Sequence, residues 1–206
     1  MTPREVDRYL ESRPSRAKTD SPLIWGVGIN DAGFQVAGMV EGKYRKHRGY
    51  AVWNTMLQRC QQNRAHYESV TVDPEWYSFL NFHAWWKKNY KEGYHLDKDI
   101  MGSGIVYSAT TCVLIPSWLN VFLTLRDAKR GDYPLGVSYH KTKKKYISSI
   151  MVDGKKTHLG NFDNPQDAHR AWVTAKLSIL SEKKGEIDSI SPTLYPRLVE
   201  IITTAT

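Results

Sequence analysis

Residues 133–180 constrain the fold more than any other part of the chain, because their pattern predicts three short strands followed by one helix. The strands are predicted over residues 136–140, 145–152 and 157–160. Asp153-Gly154 is typical of a tight hairpin turn and joins the second strand to the third. The segment therefore predicts a small antiparallel sheet.

The helix that follows this sheet has a clear start signal. In Asn164-Pro165-Gln166-Asp167, the asparagine can cap free backbone amides, proline suits the first helical position, and aspartate lies in the positive first turn. Helical spacing then predicts one apolar face, made of Ala168, Ala171, Trp172, Ala175 and Ile179. Because several of these side chains are small, we expect the helix to lie close against the sheet.

Alternation along the second strand assigns its two faces. One face must pack on the helix, and the other stays free. The residues predicted to face the helix are Tyr146, Ser148, Ile150 and Val152, whereas Lys145, Ile147, Ser149 and Met151 are predicted to face outward.

Charge is concentrated in the same segment. The chain carries a formal net charge of +8, and residues 134–180 contribute eight basic and three acidic side chains to it, or +5. A basic sheet with one free face indicates nucleic-acid binding. The alternative is a small α+β domain whose lysines form only a solvated hairpin.

These residues resemble the Apetala or ethylene-response-factor type of DNA-binding domain. The resemblance rests on Leu135-Gly136-Val137, the turn at Gly154, Leu159-Gly160-Asn161-Phe162-Asp163 and the run from Ala168 to Ala175. It implies that the free sheet face enters the DNA major groove, with contacts from Ser138, His140, Lys143, Lys145, Ser149, Lys156 and His158. Plant members carry several arginines on that face, and here those places hold leucine, serine, histidine and lysine. We therefore expect weakly selective binding that phosphate contacts dominate.

The first part of the chain is predicted to contain helices and loops. Helices are expected over residues 50–60 and 75–90, with a short one over residues 4–10 and another near the C-terminus, over residues 194–202. Residues 42–48 are predicted to form a basic loop.

A second chemical signal lies between His95 and Leu125. Residues 94–100 are predicted to form a strand, residues 105–107 a second strand that pairs back on it, and the segment from Pro116 to about Arg126 a helix. His95, Asp97 and Asp99 would share one face of the first strand.

Upstream of this two-strand-plus-helix unit lie Trp53, Met56-Leu57, Arg59-Cys60, Trp76, Phe82 and Trp85. Together with these residues, the unit resembles the HNH endonuclease superfamily, specifically divergent bacteriophage members related to intron-encoded homing endonucleases. The resemblance spans residues 24–125. It implies that Asp97 binds a metal ion and that Lys98 occupies the place of the general-base histidine. Thr111 occupies the place of a central asparagine, and Asn120 occupies the last position of the motif, on the helix. A protonated lysine is a poor base.

Two functions of different class follow from this resemblance. The first is a magnesium- or manganese-dependent endonuclease of HNH type, in which His95 acts as base and Asp97, Asp99 and Asn120 hold the ion that stabilises the departing oxyanion. The second is a nuclease-derived DNA-binding protein that has lost its chemistry and acts as a regulator or blocking factor. Asp97, Lys98 and Asp99 could also be only a charged strand end, and the aromatic central region could dock a host protein.

The sequence as a whole predicts an α+β protein in which an HNH-like (ββα) domain precedes a three-stranded antiparallel sheet packed on one helix. The expected segments are an N-terminal arm (1–23), the HNH-like domain (24–125), a linker (126–133), the Apetala-type domain (134–182) and a C-terminal extension (183–206). Two cysteines are too few for a disulfide framework, and the chain has no long apolar run, so we expect a cytoplasmic protein without membrane contact. Double-stranded DNA is the expected partner, although RNA remains an alternative.

Overall fold

The computed structural model describes residues 1–15, 21–62, 67–102, 104–123, 133–152 and 154–205. The chain forms two compact units, Met1–Ser117 and Trp118–Thr206. Helices and strands are mixed in the described residues, which confirms the α+β class. Most of the predicted linker, the predicted helix end near Arg126 and Asp153 of the predicted hairpin turn lie outside these residues.

The helices are α1 (Pro3–Glu11), α2 (Arg48–Gln61), α3 (Phe79–Asn89), α4 (Ser117–Phe122), α5 (Pro165–Glu182), α6 (Lys184–Asp188) and α7 (Leu194–Thr204), with a 3-10 helix over Pro74–Tyr77. The strands are β1 (Ala37–Val40), β2 (Lys43–Lys46), β3 (Thr71–Val72), β4 (Tyr94–Asp97), β5 (Val106–Tyr107), β6 (Val113–Pro116), β7 (Val137–His140), β8 (Lys145–Val152) and β9 (Lys155–Phe162).

The core of the first unit is built from aromatic side chains of α2, α3 and the 3-10 helix. Trp53, Phe79 and Phe82 are fully buried. The indole Nε1 of Trp53 donates to the backbone oxygen of Trp76 at 2.7 Å, so the polar atom of this large side chain is satisfied inside the core. These tryptophans and phenylalanines thus hold the unit together.

The predicted N-terminal helix is present and belongs to the first unit. Thr2 and Glu5 form a reciprocal capping box at its start. Asp7 accepts from the backbone amide of Arg48 at 3.0 Å and from the Arg48 Nε at 2.7 Å. Two hydrogen bonds to one carboxylate fix α1 against the beginning of α2.

Two predictions for this unit need correction. The helix expected over residues 75–90 is interrupted at Ser78, whose hydroxyl accepts from the amide of Asn81 at 3.1 Å and so caps α3. The basic loop expected over residues 42–48 instead contains β2, which pairs antiparallel with β1. The helix expected over residues 50–60 is confirmed as α2.

The strand pairing around Asp97 differs from the prediction. Strand β4 pairs antiparallel with β6, whereas β5 pairs in parallel with β3, so residues 105–107 do not pair back on β4. Strand β4 also ends at Asp97 rather than continuing to Ile100. The HNH-like pairing expected from the sequence is therefore not confirmed.

The second unit contains the predicted three-stranded antiparallel sheet, in the order β7-β8-β9, with α5 packed against it. The side chain of Asn164 accepts from the amide of Asp167 at 2.8 Å, which confirms the predicted helix cap. The third strand is longer than expected, because β9 runs over Lys155–Phe162. The predicted C-terminal helix is confirmed as α7 and packs on α5.

Candidate nucleic-acid interface and metal-binding groups

Cross-strand register places six of the seven predicted DNA contacts, all except Lys143, on one side of the sheet. Ser138 lies opposite Ile147, His140 opposite Lys145, Ser149 opposite His158, and Met151 opposite Lys156. Directly paired residues in antiparallel strands point to the same face. We call this side the outward face, and define it by Ser138, His140, Lys145, Ile147, Ser149, Met151, Lys156 and His158.

The other side of the sheet packs on α5, as the alternation predicted. Ser148 and Ile150 are buried, and Ile150 shares a hydrophobic cluster with Leu135 and Trp172. Gly136 brings the backbone so near Trp172 that an added Cβ would lie 2.0 Å from the ring. Close contact with α5 therefore leaves only the outward face free within this unit.

The outward face carries basic groups in different settings. Lys156 and His158 are exposed, whereas Lys145 forms an ion pair with Asp163 just after β9. Lys143 lies in the turn between β7 and β8, where its backbone amide donates to Nδ1 of His140 at 3.3 Å. Strands β7, β8 and β9 contain no aspartate or glutamate. The face therefore has a positive potential with few charges opposing it.

An exposed apolar side chain lies among these basic groups. The side chain of Met151 is 58% exposed on the outward face, beside Lys156. An unbranched thioether can lie against an irregular apolar surface such as the edge of a base. Polar, basic and apolar side chains are thus all present on one sheet face.

Asp97, the predicted metal ligand, is held at the end of β4 by its own backbone. Its Oδ1 accepts from the amides of Asp99 and Ile100, each at 2.9 Å. Burial raises the pKa of Asp97, although both amide hydrogen bonds act in the opposite direction. The carboxylate closes the turn that ends the strand. Asp99 therefore lies beyond the strand, and the prediction that it shares a strand face with His95 and Asp97 is wrong.

Lys98 is buried and its ammonium is already paired. Its Nζ lies 2.5 Å from Oδ1 of Asp99 and over the rings of Tyr67 and Tyr107, at 5.5 Å and 5.7 Å from their centroids. A charged ammonium satisfied by a carboxylate and two aromatic faces is suited to fixing structure and not to accepting a proton. Thr111, at the predicted place of the central asparagine, hydrogen-bonds to Ser108 and to the backbone oxygen of Val106.

The remaining predicted catalytic residues lie on different elements. His95 is exposed on β4, and its Nε2 lies 2.8 Å from Oγ of Ser117, which itself donates to the backbone oxygen of Gly93 at 3.0 Å. The imidazole therefore donates through Nε2 in this arrangement. Asn120 belongs to α4 in the second unit, and its role as a ligand stays a prediction.

A group that the sequence did not single out could hold a metal ion. Glu11, His47 and His83 each present a ligand atom, and these atoms lie within 4.8 Å of one another. Within the described part of the chain, no other set of three His, Cys, Asp or Glu side chains converges in this way. His47 and His83 lie 36 and 72 positions after Glu11, so no short spacing motif could have revealed the group.

Neither cysteine offers a reactive thiolate. Cys60 and Cys112 are both free. Burial raises the pKa of Cys112 to about 12, and it also raises that of Cys60. Both thiols are therefore protonated at neutral pH.

Comparison of the chain with protein-family models, with curated proteins and with solved structures found no match. In the described part of the chain, no helix combines the length and the apolar character needed to cross a bilayer.

Proposed function

We propose that this protein binds duplex DNA through the outward face of the β7-β8-β9 sheet. One observation carries the proposal: strand register collects Ser138, His140, Lys145, Ser149, Lys156 and His158 on the sheet face opposite α5. The helix occupies the other face, so the polar and basic face is the one available to a partner. The resemblance to Apetala-type domains supports the same assignment.

The dimensions of the sheet suit the major groove of B-form DNA. Neighbouring strands lie about 4.8 Å apart, so the outer strands of a three-stranded sheet are roughly 10 Å apart. The major groove is about 12 Å wide and presents a distinct pattern of donors and acceptors for each base pair. The deep, narrow major groove of A-form RNA does not admit such a sheet, which favours DNA.

The side chains on the face support weak sequence selectivity. Strands β7, β8 and β9 contain no arginine, the residue that pairs best with the two acceptors of guanine. Lysine contributes a flexible point charge that suits phosphate oxygens. We therefore expect affinity to depend steeply on salt and only slightly on base sequence.

Two neighbouring lysines test this proposal. Lys156 pairs with Met151 on the outward face, whereas Lys155 pairs with Val152, which packs on the α5 side. Removing Lys156 should weaken binding to all duplexes and lower the slope of log K against log salt by about one. Gel-shift or anisotropy titrations of Lys156→Ala and Lys155→Ala at several salt concentrations provide the measurement.

Lys155→Ala removes the same charge one residue away and is the matched control. It should keep the salt slope of the native protein. Equal weakening in both variants would mean that net charge, and not the outward face, governs binding. Unchanged binding in Lys156→Ala would contradict the proposed interface.

Metal-dependent cleavage of DNA is a second candidate function, favoured by the placement of His95 and Asp97 on β4. These residues are two positions apart in one strand, so their side chains leave it on the same side. In this candidate Asp97 and Asp99 would hold magnesium or manganese, and His95 would activate water. The ion pair between Lys98 and Asp99 weighs against it, because that carboxylate must leave Lys98 to bind the ion. Without cleavage, the protein is a regulator or blocking protein derived from an HNH-type nuclease.

A further inference from the structure

The Glu11, His47 and His83 group lies in the first unit at the meeting point of three helices. Glu11 is the last residue of α1, His47 precedes the first residue of α2, and His83 lies in the middle of α3. Nε2 of His47 and Nε2 of His83 lie 3.3 Å and 3.1 Å from the same oxygen, Oε1 of Glu11. Three segments that are distant in sequence therefore direct ligand atoms at one point.

These separations are close to those around a tetrahedral zinc ion. With zinc–nitrogen and zinc–oxygen distances of about 2.0–2.1 Å, tetrahedral ligands lie roughly 3.3–3.4 Å apart. Both histidine-to-glutamate distances are near this value. The third separation, between the two imidazoles, lies within the 4.8 Å limit of the group.

The surroundings also suit a transition-metal ion. The rings of Phe34 and Phe79 lie 5.1 Å and 5.5 Å from the His83 ring, and both histidines are buried. Burial lowers the pKa of His47 and of His83, although the Glu11 carboxylate acts to raise both. Two imidazoles with one carboxylate form a donor set typical of zinc and not of magnesium.

Lys87 places a positive charge next to Glu11 but binds the carboxylate oxygen that faces away from the two histidines. Its Nζ binds Oε2 of Glu11 at 3.1 Å, which leaves Oε1 directed at the two histidines. Burial acts to raise the pKa of Glu11, but Lys87 and His47 together outweigh it, so this pKa is lowered. One oxygen is thus held by a cation at the surface, and the other faces the two imidazoles inside.

We propose that Glu11, His47 and His83 form a zinc site, with water as the fourth ligand, that fastens α1 to α2 and α3. The alternative is a metal-free network in which both imidazoles donate through Nε2 to Glu11. On zinc binding each ring carries its proton on Nδ1 instead, and His47 loses the contact of 3.4 Å that its Nδ1 makes with the Tyr50 amide. That contact is buried and caps the start of α2, so its loss opposes zinc binding, although at 3.4 Å it is a long hydrogen bond.

Metal content and thermal stability of the full chain test the site directly. Protein prepared without a polyhistidine tag and dialysed with zinc should retain about one zinc per chain, measured by mass spectrometry of the metal. Zinc should raise Tm of the native protein, and cobalt should give the absorption bands of a tetrahedral site. Neither readout depends on DNA binding or on cleavage.

Glu11→Gln separates the zinc site from the metal-free network. Glutamine keeps an oxygen that accepts from both imidazoles, but it is a poor zinc ligand. We expect zinc affinity to fall at least about tenfold and the zinc-dependent rise in Tm to disappear, with the helical content unchanged. His83→Gln should behave in the same way.

Glu75→Gln is the matched control, because Glu75 is an exposed carboxylate of the same unit outside the group. It should bind zinc like the native protein. Native protein that retains no zinc and shows no zinc-dependent rise in Tm would overturn the proposal in favour of the hydrogen-bonded network. Equal zinc loss in Glu75→Gln would overturn it as well, since the ion would then bind elsewhere.

Discussion

Lys176 shows how a single residue can set the pH dependence of a whole unit. Its side chain is buried on α5, where Nζ donates to the backbone oxygen of Phe122 and lies 3.7 Å from the centroid of the Phe122 ring. Burial lowers the pKa of Lys176 to about 8, from an ordinary value of 10.5. The carbonyl and the ring offset part of the cost of burying this charge.

The folded pKa lies below the unfolded one, so between about pH 8 and pH 10.5 the unfolded chain binds more protons. Stability of the second unit should therefore rise with pH through this window, and the full cost of the buried charge is present below about pH 8. At neutral pH, Lys176→Met should raise the free energy of unfolding by about 1–3 kcal/mol. The gain should shrink as the pH approaches 10.5. Urea denaturation, monitored by hydrogen exchange in the second unit, measures both the gain in stability at neutral pH and its decrease toward pH 10.5.

Lys184→Met serves as the control for this substitution. Lys184 is exposed and forms a surface ion pair with Asp188, so its loss should change stability by less than about 0.5 kcal/mol at any pH. A Lys176→Met variant that is less stable than the native protein at pH 7 would mean that the Phe122 carbonyl contact outweighs the cost of burial.

At the scale of elements, the contact between the β7-β8-β9 sheet and α5 depends on how closely the backbone approaches the helix. Gly136 and Gly154 both have a left-handed backbone, with φ of 75° and 76°. A Cβ added at Gly136 would meet the Trp172 ring at 2.0 Å, whereas one added at Gly154 would meet nothing within 4 Å. The two glycines therefore form a natural pair for separating backbone strain from packing.

Gly154→Ala should lower the free energy of unfolding of the second unit by about 1 kcal/mol, through backbone strain alone. Gly136→Ala adds displacement of a buried indole and should lower it by about 3 kcal/mol or more. Urea denaturation of both variants measures the difference. Equal losses would show that Trp172 can move aside and that its contact with Gly136 contributes little.

The same comparison of elements shows where sequence patterns are reliable. The hairpin of β8 and β9, the cap at Asn164 and the apolar face of α5 depend on neighbours within a few residues, and all were predictable. The partner of β4 was not, because β5 and β6 both follow β4 closely and are both short and apolar. Only the pairing of β5 with β3, which comes from earlier in the chain, decides between them.

At the scale of the whole molecule, the two proposed functions differ in whether the protein only binds DNA or also cuts it. Supercoiled plasmid with magnesium or manganese distinguishes the two, when it is combined with a gel shift on the same DNA. We expect a shift without cleavage, because Lys98 is paired with Asp99 and Oδ1 of Asp97 is engaged by two backbone amides. Relaxed or linear plasmid that appears only with metal would instead establish the endonuclease.

Asp97→Asn is the variant that makes this assay decisive. An asparagine oxygen can still accept from the amides of Asp99 and Ile100, so the turn survives while the negative charge is lost. Asp97→Ala would leave both amides without their acceptor and should lower stability by about 1–3 kcal/mol, which confuses loss of chemistry with loss of fold. Cleavage that persists in Asp97→Asn would exclude Asp97 as a metal ligand.

The sequence by itself determined the sheet-and-helix unit, its basic outward face and the helix cap at Asn164. Each of these follows from alternation, helical spacing or a local hydrogen bond, and such signals are complete within a few residues. The placement of the candidate contact residues on one sheet face could therefore be predicted, and their binding to DNA stays a prediction.

Only the tertiary structure decided the pairing of β4 with β6 and the meeting of Glu11, His47 and His83. These features join segments that are not neighbours in the chain, and the packing of the aromatic core selects them from many local alternatives. Nothing in the residues around His47 or His83 marks them as partners, because their proximity is a product of how α1, α2 and α3 pack.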